Sequence, residues 1–437
     1  MSVRGRERAT VALKAVDEAL AEILRHFEPV PAESAGLLQA RGRVLAEDII
    51  ADFDVPPFRN SAMDGYAVRA GDTAGASAQT GVVLRVVGDV AAGGVAETPV
   101  PPGGAVRIMT GAPLPPGADA VVRFEETSEA LPEGQRPGAG RVAILAAAVD
   151  GQNVREPGED LRAGSVVIPR GQLLRPAEIG VLAALGRATV PVVRRPRVAI
   201  LATGDELVAI DEPLAPGKIR NSNEYTAAAL VEQAGGTPIP LGIARDNVAD
   251  LTAKVREGLA HDVDLFLTSA GVSVGDYDIV KHVLAAEGEM HFWQVAIKPG
   301  KPLAFGRLRG PHGPVPLIGL PGNPVAAIVA FEVFARPAIL KMGGRAPRPH
   351  PQVQARLQED VTNSGRRHYM RAFVNRDPTS GEYHVTTRGS GVRVQGSGIL
   401  SSLVWANAFL VVPEGVTRLA AGELVTVEMI DWPEEVF

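Results

Sequence analysis

Between residues 197 and 341 short apolar runs alternate with helix-like stretches, and this constrains the fold more than any other feature of the chain. Residues 198–202, 239–243 and 263–268 read as buried strands, since each is a brief apolar or β-branched run between polar loops. Asn221 can N-cap a helix with Glu224 three residues on, and that helix ends before Gly235-Gly236. Residues 248–260 and 278–286 read as further helices, and 291–297, 303–306 and 317–320 as further strands. A last helix starts at Pro324, capped by Asn323, and runs towards Leu340. Such alternation implies a parallel, doubly wound sheet. Ligands of such sheets bind beyond the carboxyl ends of the strands.

The flanks have a different texture. Residues 11–27 carry apolar side chains at helical spacing. From Asp52 to Leu145, β-branched runs at 82–87, 105–108, 120–124 and 142–145 are separated by Gly/Pro clusters, which suggests a small all-β module. Mixed structure follows from Arg155 to Ala188, with a helix expected over 176–185. Residues 343–352 form a Gly/Pro-rich linker. Beyond it, strands expected at 385–388, 409–412 and 424–430 indicate a second β module.

Composition narrows the chemistry. The 44 basic and 50 acidic residues give a net charge of −6, which argues against a nucleic-acid coat. The absence of cysteine excludes disulfides, thiolate metal sites and thiol nucleophiles in this chain. No apolar run has the length of a membrane span, and the first residues lack the apolar core of a signal peptide. A soluble, cytoplasmic protein with neither nucleic acid nor membrane as partner is the expectation. Only seven of the 44 basic residues are lysine, and two stand together in Lys298-Pro299-Gly300-Lys301-Pro302. Proline and glycine fix a turn there and set two ammonium groups near one another, an arrangement that costs energy without an anion between them.

Three polar loops follow the first three strands of the alternating region. They are Thr203-Gly204-Asp205-Glu206-Leu207, Arg245-Asp246-Asn247, and the Ser/Gly loop of residues 268–276, which contains Ser269, Gly271, Ser273 and Asp276. Each alone is compatible with an ordinary turn. Together they place carboxylates on one rim, and Glu206, Asp246 and Asp276 can supply oxygen ligands to Mg²⁺. The Ser/Gly loop can present N–H groups and hydroxyls to phosphate, although its spacing matches neither a P-loop nor a dinucleotide fingerprint. Pro321-Gly322-Asn323-Pro324 opens a helix, whose N-terminus attracts anions. The eight histidines show no zinc spacing. A biotinyl or lipoyl reading of residues 87–94 fails because no lysine lies between Lys14 and Lys218.

The motifs SAMDGYA, RIMTGA, GQNVREPGED, TGDEL, TSAGVSVGD, IKPGKP and LPGNP, in this order, resemble those of the MoeA family, the molybdopterin molybdenumtransferases, to which the E domain of gephyrin belongs. TGDEL and the Ser/Gly loop alone would also fit the Mog/MoaB adenylyltransferases; the flanking modules favour MoeA. The resemblance implies an elongated, multi-domain homodimer of α/β plus β class. Its parts would be a discontinuous N-terminal domain (1–51 and 146–190), a β-rich insert (52–145), a Mog/MoaB-like doubly wound domain (191–345) and a C-terminal β-barrel (350–437). It further implies insertion of molybdate into adenylylated molybdopterin with release of AMP, dependent on Mg²⁺, in a site between subunits.

Carried over residue by residue, Glu206, Asp246 and Asp276 match carboxylates near the metal and pyrophosphate. Asp64, Thr110 and Asp160 match polar residues across the cleft. Lys298, Lys301 and Pro302 match the molybdate region, which Arg371 and Ser397 would complete. Thr203, Ser269, Gly271, Ser273, Pro321 and Asn323 would line the substrate's path. One departure stands out: Ala270 replaces the first glycine of the family's usual Ser-Gly-Gly-Val-Ser. Two other readings compete, a Mog-type adenylyltransferase and a non-catalytic scaffold or sensor.

Overall fold

The computed structural model describes residues 13–269, 279–388 and 395–432. Asp276, Gly271, Ser273 and Ala270 lie outside the described residues. The chain forms two compact units. One holds the residues up to Ala46, Leu173–Arg175 and everything from Thr189 onward; the other holds Glu47–Gln172 and Pro176–Ala188.

The first unit is built on a six-stranded sheet in the order Thr237–Ala244, Arg197–Thr203, Leu265–Ser269, Gly313–Leu320, Pro302–Gly310, Gly288–Gln294. The first four strands are parallel; Pro302–Gly310 runs antiparallel to both of its neighbours. The expectation of a wholly parallel sheet is thus corrected at one edge. Pro302–Gly310 returns directly into Gly313–Leu320, and a turn that short can join only antiparallel strands.

Strand Arg197–Thr203 alternates its side chains between two cores. Val198 and Ile200 join Ala227, Val231, Phe331 and Phe334 on one face. Ala199 and Leu201 join Leu251, Val255, Phe266 and Leu284 on the other. Burial on both faces explains why this strand lacks an alternating pattern in sequence. Helix Ser222–Gln233 starts as expected: Asn221 Oδ1 accepts from Glu224 N–H. Glu224, however, accepts from the Asn221 side-chain amide and from Gly242 N–H, not from the Asn221 backbone. The helix at Val16–Leu24 packs Val16, Ala19 and Ile23 into the same core as Val198 and Ile200.

The C-terminal strands Gln352–Leu357, Arg367–Arg376, Tyr383–Thr386, Ala408–Val412 and Leu424–Met429 close on themselves, because Arg367–Arg376 pairs with both Tyr383–Thr386 and Ala408–Val412. The result is a five-stranded barrel. A sixth, two-residue strand, Ile297–Lys298, is added to it in parallel with Arg367–His368. The run expected as one strand over 291–297 is therefore split. Its first part belongs to the α/β sheet, and Ile297 turns into the barrel.

In the second unit, strands Ala120–Arg123, Gly65–Val68, Gly104–Ile108, Val82–Val90 and Arg141–Ile144 lie side by side in that order. Residues 146–172 and 176–188 belong to this unit together with Glu47–Ala51. Val154–Arg155 pairs with Asn60–Ser61, and Val166–Ile168 with Ile49–Ile50. Thr189–Val193 returns to the first unit by pairing with Ala32–Gly36.

Candidate active site

The rim of the α/β sheet carries the candidate site. Strand Gly313–Leu320 runs parallel to its neighbour, and Pro302–Gly310 runs against it, so Pro302 begins at the end where Leu320 finishes. The loop bearing Lys298 and Lys301 therefore shares a rim with the loops at 204–206, 245–247 and 321–323. There a cleft of about 690 Å³ is walled by Glu206, Lys298, Lys301, Pro302, Pro321, Asn323 and Ser397, all singled out from sequence. Arg366, His368, Gln395 and Ile219 line it as well.

Backbone geometry sets these groups. Gly300 has φ 103°, a conformation that strains other residues, and this lets the chain turn sharply between the two lysines. Lys301 C=O accepts from Val295 N–H at 2.8 Å, which closes the loop at its base. Arg366 Nη1 donates to the Ile297 carbonyl at 3.1 Å and brings a third cation to the wall. Gly204 has φ 145°, and a Cβ there would stand 2.5 Å from Glu206 Oε2, so the glycine leaves room for that carboxylate.

Asn323 differs from expectation. It makes no side-chain cap bond to helix Pro324–Ala330; its amide donates to Ser397 Oγ at 3.2 Å instead. Ser397 C=O in turn accepts from Val325 N–H at 3.0 Å. Arg371, expected at the oxyanion site, is not among the residues that line the cleft. It is wholly buried, and its guanidinium donates to Ser402 Oγ at 3.0 Å, Gln395 C=O at 3.3 Å and Gly396 C=O at 3.0 Å. Gln395 completes the clasp by accepting from Arg371 N–H and donating to Arg371 C=O. Arg371 thus positions the loop that presents Gln395 and Ser397. Burial lowers its own pKa to about 10.

Asp246 stands next to the cleft loops but does not line the cleft. Its N–H donates to Asp205 Oδ1 at 3.2 Å, and its carboxylate accepts from Asp205 N–H at 3.4 Å. Among the described residues, no three His, Asp or Glu side chains are grouped to hold a metal ion. Glu206 and Asp246 still offer the hard oxygen donors that Mg²⁺ takes, and one or two carboxylates with substrate phosphate are its ordinary complement. Thr203 and Ser269 are buried at adjoining strand ends, with Thr203 Oγ1 donating to Ser269 C=O at 3.5 Å.

In the second unit the motifs SAMDGYA and RIMTGA clamp together. Asp64 Oδ1 accepts from Thr110 N–H at 2.7 Å and from Thr110 Oγ1 at 2.8 Å. These bonds, backbone first, hold the Asp64 carboxyl below its usual range. Gly111 N–H donates to Ser61 C=O, and Ser61 N–H to Ala112 C=O. Asp160 sits on an exposed turn fixed by its N–H donating to Val55 C=O.

His368, Gln395 and Arg366 did not emerge from sequence. The Gly365-Arg366-Arg367-His368 run at the start of a strand was the available signal. It was legible only once that strand was recognised.

Fold and rim together define a multidomain α/β protein with a cationic cleft at the carboxyl ends of its strands. Three family profiles match in succession: the MoeA N-terminal region (domain I and II) at residues 14–186, a probable molybdopterin binding domain at 199–341, and the MoeA C-terminal region (domain IV) at 354–430. A Mycobacterium tuberculosis protein named molybdopterin molybdenumtransferase 2 is 40% identical over 411 residues, spanning 92% of this chain and 95% of that one. The Haemophilus influenzae molybdopterin molybdenumtransferase is 37% identical over 420 residues, 94% and 98% of the two chains. The solved structure of a MoeA molybdopterin biosynthesis protein from Pyrococcus horikosii superposes with a TM-score of 0.77 at 31% identity, covering 97% of this chain and all of that one. The chain belongs to the MoeA family. Among its described residues no helix is long and apolar enough to cross a membrane.

Proposed function

We propose that this protein is a molybdopterin molybdenumtransferase, which takes molybdate and adenylylated molybdopterin and forms molybdenum cofactor with release of AMP. The observation that carries this reading is the convergence of Lys298, Lys301 and Arg366 with Asn323 and Ser397 around one cleft. Cations with neutral donors suit a tetrahedral dianion: the ammonium groups offset its charge, and the hydroxyl and amide orient it. The cysteine-free chain offers molybdenum no thiolate, so the dithiolene of the substrate is the sulfur ligand that captures it.

Glu206 and Asp246 are the residues of the described chain that would hold Mg²⁺. When bound, that ion supplies charge neutralisation at the pyrophosphate and the departing AMP. Glu206 orients the phosphate side of the cleft, and the lysine loop orients the molybdate side. The homodimer belongs to the same proposal, with Asp64, Thr110 and Asp160 of one subunit serving the cleft of the other; the family resemblance supports it.

The test is AMP release from adenylylated molybdopterin with and without molybdate, in the presence and absence of Mg²⁺. Molybdate-dependent release by wild type, lost in Glu206→Ala, is expected. Substrate binding without any AMP release would overturn the assignment. A mixture of Asp64→Ala and Lys301→Ala chains that regains no activity over either alone would overturn the shared site.

A further inference from the structure

His368 is the one cleft residue whose burial lacks an ordinary reason. Its side chain is 2% exposed, it forms part of the cleft wall, and neither ring nitrogen has a hydrogen-bond partner among the described residues. A valine or leucine would fill the same space without leaving polar atoms unpaired, and buried polar groups without partners cost stability. The residue is held at that place by register: His368 pairs with Lys298 in the parallel strand and with Val412 across the barrel. The charged groups around it are cations, namely Lys298, Arg371 and Arg366. Burial and these charges together push the imidazole down to about 3, so the ring is neutral and carries one N–H donor at neutral pH.

A neutral donor with no acceptor, set among cations on the wall of a cleft, is matched by an anion with several oxygens. We propose that His368 is a further binding residue of this site, donating a ring N–H to an oxygen of the tetrahedral oxyanion held by Lys298 and Lys301. The role rests on the oxyanion reading of the cleft given above. A protonated imidazole would add a fourth positive charge beside Lys298, Arg366 and Arg371, whereas the neutral ring adds direction without charge. A hydrogen bond to a charged acceptor corresponds to roughly tenfold or more in affinity.

The experiment is titration of the full-length protein with sodium molybdate, followed by calorimetry, for wild type, His368→Ala, His368→Gln and Lys301→Ala. His368→Ala is expected to weaken binding roughly tenfold, and His368→Gln, which keeps an N–H donor, to recover part of the loss. Because a buried substitution can impair folding, ¹⁵N-histidine-labelled wild type is titrated in parallel. The ring resonance absent from His368→Gln should shift on saturation with molybdate. Wild-type binding that His368→Ala matches within about twofold, together with an unmoved ring resonance, would overturn the role of His368 while leaving the cleft assignment intact. Absence of saturable molybdate binding by wild type would overturn both.

Discussion

The side-chain amide of Asn323 donates to Ser397 Oγ at 3.2 Å, tying the start of a helix in the α/β domain to a loop of the C-terminal barrel. The main chain repeats the tie through Val325 N–H and the Ser397 carbonyl. Both side chains face the cleft, so their mutual hydrogen bond orients donors for whatever anion lies there.

Ser397→Ala keeps the backbone tie and removes the hydroxyl. Stability should fall by about 1 kcal/mol or less, as read by denaturant unfolding. The KM for molybdate should rise while melting changes little. An equal loss in Asn323→Ala and in the double variant would show that the two act as one unit.

Gly204→Ala places a methyl where the Glu206 carboxylate now lies, on a backbone that strains any L side chain. The cost is on the order of 1–3 kcal/mol. AMP release should fall with Glu206 displaced, whereas molybdate affinity, which the proposal assigns to the lysine loop, should be retained. Comparison with Glu206→Ala checks this, since both variants should show the same kinetic defect.

Arg371→Leu removes the donors of the Gln395 and Gly396 carbonyls and of Ser402 Oγ in a buried setting. Each unsatisfied group costs about 1–3 kcal/mol, so a marked drop in melting temperature is expected, with loss of molybdate binding as the 395–397 loop loosens. Arg371→Lys should restore only part, because one ammonium cannot reproduce the fork of a guanidinium.

His368 also predicts an acid limb of stability. In the unfolded chain it takes a proton near 6.5, and in the folded chain near 3. Above pH 6.5 both states are neutral and the residue contributes nothing to the pH dependence. As pH falls from 6.5 towards 3, the unfolded chain binds a proton that the folded chain refuses, and stability declines by up to a few kcal/mol. His368→Gln should flatten unfolding free energy against pH in that window relative to wild type.

Much of the α/β region was legible because its signals are local. The helix at Val248–Ala260 has its cap, Asn247, and its amphipathic face written in fourteen consecutive residues. The antiparallel edge was not legible, since the first half of Pro302–Gly310, Leu303–Gly306, is as buried and apolar as the parallel strands. Lys298 and Lys301 stood out through lysine scarcity, whereas His368 and Gln395 depended on which barrel strand lies beside Ile297–Lys298. That is a long-range pairing, and no local pattern encodes it. The contacts of Arg371 with Ser402 Oγ and the Gln395 and Gly396 carbonyls were not legible either, since an arginine looks the same in sequence whether it meets an anion or backbone carbonyls.

The two lysines belong to different sheets. Lys298 sits on the strand added to the barrel, and Lys301 precedes the strand that enters the α/β sheet. The spacing of the two ammonium groups therefore reports how the barrel docks on its neighbour. A protein that kept this α/β fold and discarded the barrel would lose the seat of one lysine along with the serine and histidine that accompany it. On the proposed assignment, recognition of the inorganic partner is a property of a seam between modules, and changing the barrel alone would retune it without disturbing the loops of the sheet.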